Sequence, residues 1–157
     1  MRERDLYPAV KRWLNEHGYV VHVEIFDCDI VAVKDGKLTA VELKLECGYS
    51  LLRQLIQRTQ WADEVIGVVP AQKWPDGNSP AQRQWASSYR QAGFGLLTVD
   101  GERAKLRLKP KSQPFGWHKK HAYRAKILLA REPAQAHESA GLPSCPELRE
   151  QRLARYG

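Results

Sequence analysis

The run Cys28-Asp29-Ile30-Val31-Ala32-Val33-Lys34-Asp35-Gly36-Lys37-Leu38-Thr39-Ala40-Val41-Glu42-Leu43-Lys44-Leu45 reads as two β-strands joined by a two-residue turn. Asp-Gly between apolar runs is a strong hairpin signal, because a type I′ turn needs positive φ at both central residues. The pattern predicts strands over 28–34 and 37–45. Such a turn fixes the register, with facing residues summing to 71, so Val31 faces Ala40, Asp29 faces Glu42 and Asp27 faces Lys44. Side chains alternate between faces, which places Asp27, Asp29, Glu42 and Lys44 on one side. Glu46 follows on that side if the strand continues.

Two facing carboxylates repel, and these strands are apolar on both faces: Ile30, Ala32, Val41 and Leu43 on one, Val31, Val33, Leu38 and Ala40 on the other. Unpaired charge in such a buried position is costly. A divalent cation offsets it, and hard oxygen ligands suit Mg²⁺, with Mn²⁺ as the expected substitute. Lys44 stands where it can orient an attacking water or stabilise charge developing on a phosphoryl oxygen. Glu24, on the preceding strand, is a further candidate ligand. An ordinary salt-bridge cluster at a sheet end is the competing structural explanation of the same residues.

Outward from the hairpin, Leu6, Val10, Trp13 and Leu14 recur at helical spacing and predict a helix over 5–17, with Asp5 as N-cap and Gly18 as stop. Residues 19–26 read as a strand. A helix over 50–63 is predicted, capped by Ser50, with Leu51, Leu52, Leu55 and Ile56 as its apolar stripe. A short strand over 65–69, a loop over 71–79, a helix over 80–91 and strands over 95–99 and 104–108 around Asp100-Gly101 complete the body. This order predicts an α/β fold, a mixed central sheet flanked by helices, followed by a basic, partly helical C-terminal extension. The expected division is 1–109 and 110–157.

The chain has 157 residues and a net charge of +7, and that charge is uneven. Residues 1–102 carry 12 bases and 14 acids, while 103–131 carry ten bases and no acid. Within or beside this segment lie Lys109, Lys111, Trp117, His118, Lys119, Lys120, Arg124 and Lys126. Cations interleaved with flat rings suit a nucleic-acid backbone and its bases. Trp61, Trp74 and Trp85 are further stacking candidates, though tryptophans more often fill cores. Three cysteines are too few for a disulfide framework or a four-cysteine zinc site. There is no long apolar span, no secretory leader, no GxxxxGK loop and no Gly-x-Ser-x-Gly elbow. These features predict a cytoplasmic protein without membrane partners and argue against an NTPase.

The stretch Asp29-Ile30-Val31-Ala32-Val33, a short turn, then Val41-Glu42-Leu43-Lys44 resembles the Asp…Glu-x-Lys signature of the PD-(D/E)XK nuclease superfamily. The helix, three strands, helix, strand order over roughly residues 3–70 resembles that family's core, in the branch of Holliday-junction resolvases and restriction-type enzymes. The resemblance implies a restriction-endonuclease-like fold in αβββαβ order. It implies that Asp29 and Glu42 bind the metal, that the Leu43 carbonyl completes the shell and that Lys44 is the catalytic lysine. It also implies a glutamate from the first helix, for which Glu3 is nearest, and a polar residue from the helix after the lysine: Gln54, Gln57 or Arg58. The expected protein is then a Mg²⁺-dependent endodeoxyribonuclease, structure-selective or nonspecific because no element is built to enter a groove. RNA is left open as a substrate, and a homodimer would allow a double-strand cut. The alternative is a catalytically inactive nucleic-acid-binding accessory protein on the same fold.

Overall fold

The structure is a computed structural model and describes residues 1–25, 28–74 and 80–113. Asp27, the loop 75–79 and everything from 114 onward, including Trp117, His118, Lys119, Lys120, Arg124 and Lys126, lie outside the described residues.

The predicted hairpin forms as β2 (Cys28–Lys34) and β3 (Lys37–Leu43). Asp35 and Gly36 take φ of 52° and 75°, the two positive values of a type I′ turn. The register runs from Lys34↔Lys37 to Ile30↔Val41, so facing residues sum to 71 as expected. β1 (Val20–Ile25) pairs antiparallel with β2. α2 (Tyr49–Arg58) crosses over to β4 (Glu64–Pro70), parallel to β3, and α3 (Pro80–Ala92) crosses over to β5 (Gly95–Asp100), parallel to β4. β6 (Arg103–Leu108) returns antiparallel. The result is a mixed six-stranded sheet in sequential order β1-β2-β3-β4-β5-β6.

The sheet has two cores because its strands are apolar on both faces. Leu6, Val10 and Leu14, from a 3₁₀ turn (Glu3–Leu6) and α1 (Tyr7–Glu16), cover one face against Ile30, Ala32, Val41 and Leu43. Leu51 and Leu55 of α2 and Tyr89 of α3 cover the other against Val31, Leu38 and Ala40. Two right-handed crossovers that step the same way along a sheet put α2 and α3 on one face.

Several boundaries differ from the sequence reading. Asp5 does not cap an α-helix at 5; it lies inside the 3₁₀ turn, where its carboxylate accepts the Arg2 N–H at 2.7 Å. α2 is capped by Gly48, not Ser50, and stops at Arg58 instead of 63. The chain must turn there because Asp63 is tied to the start of β3: Leu38 N–H donates to its carboxylate at 2.9 Å and its N–H donates to the Leu38 carbonyl. Ile56 is consequently exposed and not part of the buried stripe. The second hairpin loop is Gly101-Glu102 rather than Asp100-Gly101, since Asp100 still pairs with Arg103 and only Gly101 (φ 60°) needs the left-handed region.

Gly67 sets how closely α2 approaches the sheet. A Cβ there would lie 2.9 Å from Leu51 Cδ2 and 3.2 Å from both Leu55 and Leu96. Gly67 also stands opposite Glu42 in the β3–β4 register. Gly67→Ala is therefore expected to cost about 1–3 kcal/mol of stability by overpacking, read as a lower urea midpoint. An unchanged midpoint would contradict this seating of α2.

Candidate active site

The hairpin places Asp29 opposite Glu42, one step beyond the last ladder pair Ile30↔Val41. There the ladder opens. Alternation makes Leu43 the next hydrogen-bonding position after Val41, yet Leu43 N–H donates to Asp29 Oδ2 at 2.8 Å. The Asp29 side chain thus takes a place that strand backbone would otherwise fill. The Leu43 carbonyl leaves the strand on the side of its N–H, toward the same opening. Lys44 lies just past β3, and its N–H donates to the Val68 carbonyl at 2.9 Å. The group therefore sits at the carboxyl ends of the parallel strands, where open α/β sheets ordinarily bind ligands.

Both carboxylates are buried, Asp29 at 3% and Glu42 at 1% exposure. Burial, and after it the charge of Asp29, push Glu42 up to about 8 against the opposing pull of Arg58. At neutral pH Glu42 thus tends to keep its proton, as one of two crowded carboxylates does. Arg58 comes from the end of α2, and its Nε donates to Glu42 Oε1 at 2.6 Å, a short charge-assisted bond. Glu3 arrives from the opposite face: its Oε1 lies 3.7 Å from Lys44 Nζ, both side chains being 19% exposed. Gln54 stands one turn before Arg58 on the same helix face, and its buried Oε1 has no hydrogen-bond partner among the described residues.

From four separate segments the structure thus makes two contacts, Glu42 with Asp29 and Arg58, and Lys44 with Glu3. It does not bring in Gln57, which is exposed to solvent because it lies off the Gln54–Arg58 face. Glu24 lies within β1, and Asp27 is outside the described residues. Glu46 pairs with Lys73 at 2.9 Å on the surface, away from the carboxylates. Trp61 is a core residue, and Trp74 and Trp85 pack against the same core. Lys109 and Lys111 are exposed beyond β6. The buried Cys28 thiol donates to the Ile30 carbonyl at 3.1 Å. Burial, and then the Glu42 charge, push its pKa well up, so it stays a neutral thiol. Sequence reading passed over Gly67, although a lone glycine in an apolar strand, Val65-Ile66-Gly67-Val68-Val69, marks a close backbone approach.

Among the described residues no group of three or more His, Cys, Asp or Glu side chains is placed to hold a metal ion. The set nonetheless fits Mg²⁺, which is commonly held by one or two carboxylates and retains several waters. Asp29, Glu42 and the Leu43 carbonyl are hard oxygen donors of that kind. Arg58 supplies one positive charge to this pair. Arg58→Leu is accordingly expected to lower stability in EDTA by about 3–5 kcal/mol above pH 8, where Glu42 is ionised. The loss should be much smaller at pH 6, where Glu42 carries its proton. Urea unfolding at pH 6 and pH 9 checks this, and equal losses at both would contradict it.

No helix of the described residues is long and apolar enough to cross a membrane. No family model matches the chain, and no curated protein matches it significantly. A solved protein of unknown function from Silicibacter pomeroyi is similar in fold, with a TM-score of 0.55 and 17% identity over 82% of this chain and 85% of that one.

Proposed function

We propose that the chain is a metal-dependent nuclease with a restriction-endonuclease-like fold of the PD-(D/E)XK type, hydrolysing phosphodiester bonds of DNA. The observation that carries this reading is the pair Asp29 and Glu42, adjacent and almost fully buried where the β2–β3 ladder opens. A purely structural ion pair needs one carboxylate beside Arg58; a second one crowded against it has to be neutralised, by a proton or by a cation that joins the two.

The residues divide the work as follows. Asp29, fixed by Leu43 N–H, and Glu42, deprotonated on binding, would hold Mg²⁺ together with the Leu43 carbonyl. When bound, Mg²⁺ would supply a lowered pKa for its water and positive charge at the scissile phosphate, with Mn²⁺ able to replace it. Lys44 orients the attacking water and stabilises the charge that grows on the phosphoryl oxygen. Glu3 holds the Lys44 ammonium in place. Arg58, released from Glu42, offers a planar guanidinium to the phosphate. Phosphate contacts from Lys109, Lys111 and the basic segment beyond them would anchor the strand without reading sequence, favouring structure-selective or nonspecific cutting.

One observation favours a second reading. The 2.6 Å Arg58–Glu42 bond already neutralises one carboxylate, as in a nucleic-acid-binding accessory protein that does no chemistry. Incubation with plasmid and branched DNA in Mg²⁺ or EDTA separates the two. The nuclease reading expects cleavage that EDTA abolishes; salt-sensitive binding without cleavage in Mg²⁺ or Mn²⁺ would instead establish the second.

A further inference from the structure

At the other end of the strands, and on the α1 face, a cavity of about 300 Å³ opens to solvent. Its walls come from Trp13 and His17 of α1, Tyr19, Lys34 at the end of β2, Glu64 at the start of β4, and Lys109 beyond β6. The rings form a row of nearly parallel planes, Trp13 tilted 21° from His17 and 25° from Tyr19. Lys34 Nζ lies 5.2 Å above the Tyr19 ring. Among the described residues, neither the Glu64 carboxylate nor the Lys34 or Lys109 ammonium forms an ion pair within 4.0 Å. Lys34 stands five residue steps along β2 from Asp29, roughly 17 Å at about 3.3–3.4 Å per step, so this cavity is distinct from the carboxylate site.

We infer that this cavity is a binding site for one nucleotide unit bearing an amino-substituted base: cytosine, adenine or guanine. Each wall matches one part of such a ligand. Flat rings take a base by stacking, which any base can do. The uncommitted carboxylate accepts a hydrogen bond from an exocyclic amino group, as Glu and Asp do from cytosine N4. Thymine and uracil have a carbonyl there, which Glu64 repels. The two ammonium groups neutralise the phosphate. The volume is at the small end of ligand pockets, roughly 300–1,000 Å³, which suits a single nucleotide. Lys109 also belongs to the cationic run of ten bases between 103 and 131. The inference deepens the proposed function by naming an unpaired base as part of the substrate, and it can fail without touching the cleavage chemistry.

Calorimetric titration of the full chain with dCMP, dTMP and deoxycytidine tests it. Saturable dCMP binding is expected, about tenfold tighter than dTMP, the worth of one hydrogen bond to a charged group. Deoxycytidine, lacking the phosphate, is expected to bind about tenfold more weakly than dCMP. Lys34→Ala and Lys109→Ala should each weaken dCMP several-fold, and Glu64→Gln should erase its advantage over dTMP. Asp29→Asn should leave dCMP binding unchanged, which separates this site from the carboxylates even if no cleavage is ever seen. A single-stranded dC tetranucleotide binding tighter than dCMP assigns the site to a strand, and equal affinity assigns it to free nucleotide. Absence of saturable binding at millimolar dCMP, equal affinity for dCMP and dTMP, or binding untouched by both lysine substitutions would overturn the inference.

Discussion

Replacing Lys44 by Ala is expected to leave a folded protein whose Mg²⁺-dependent cleavage is slower by on the order of 10²–10³, the usual loss when one preorganised charge donor is removed from a transition state. Lys44 is 19% exposed, and among the described residues its ion pair is with Glu3. A melting temperature close to wild type lets a rate effect be read as chemistry. Asp29→Asn is the companion experiment. The asparagine oxygen can still accept Leu43 N–H, while the charge that would hold a cation is gone. Asp29→Ala is less clean, since it leaves the buried Leu43 N–H without its acceptor at a cost of about 1–3 kcal/mol. Cleavage near wild-type rates in both Lys44→Ala and Asp29→Asn would remove these residues from the mechanism.

Metal affinity should depend steeply on pH. Glu42 sits at about 8 in the folded chain against an ordinary value of 4.5, so a proton must leave before two carboxylates can share a cation. Mg²⁺ affinity is expected to rise about tenfold per pH unit below pH 8, roughly 10³ between pH 5 and pH 8, and to level off above. The metal-free protein should show the opposite trend. A group raised on folding contributes stability that is complete below its unfolded value near 4.5 and is lost as pH climbs through about 8. Thermal unfolding in EDTA should therefore weaken across that window, and Mg²⁺ should restore most at its upper end. Affinity flat from pH 5 to 8 would mean that Glu42 is already ionised, or is not a ligand.

What the sequence made legible was local. Asp35-Gly36 specifies its turn, the turn specifies the register, and the register alone places Asp29 opposite Glu42. The two apolar faces of the hairpin likewise foretold a sheet covered on both sides. Features set by tertiary closure were harder. α2 stops at Arg58 because Asp63 is clamped to Leu38 on another strand, which no helical periodicity reveals. Glu3 was legible only through resemblance, because its meeting with Lys44 depends on how the first turn folds across the strand ends. Gln57 and Arg58 are neighbours with equal polarity, and only the buried Leu51–Leu55 stripe decides which one faces the carboxylates. The cavity at Trp13, Tyr19, Lys34, Glu64 and Lys109 draws on residues up to 96 positions apart. Trp13 by itself reads as one more apolar position on a helix.

Everything proposed for catalysis depends on the opening between β2 and β3 being a divalent-cation seat. A crystal soaked in Mn²⁺ at pH 8 and measured at the manganese absorption edge tests this most directly. The expected result is an anomalous peak between the Asp29 and Glu42 carboxylates, with Arg58 moved off Glu42. Clear density for Arg58 still on Glu42 and no anomalous peak between the two acids would contradict it.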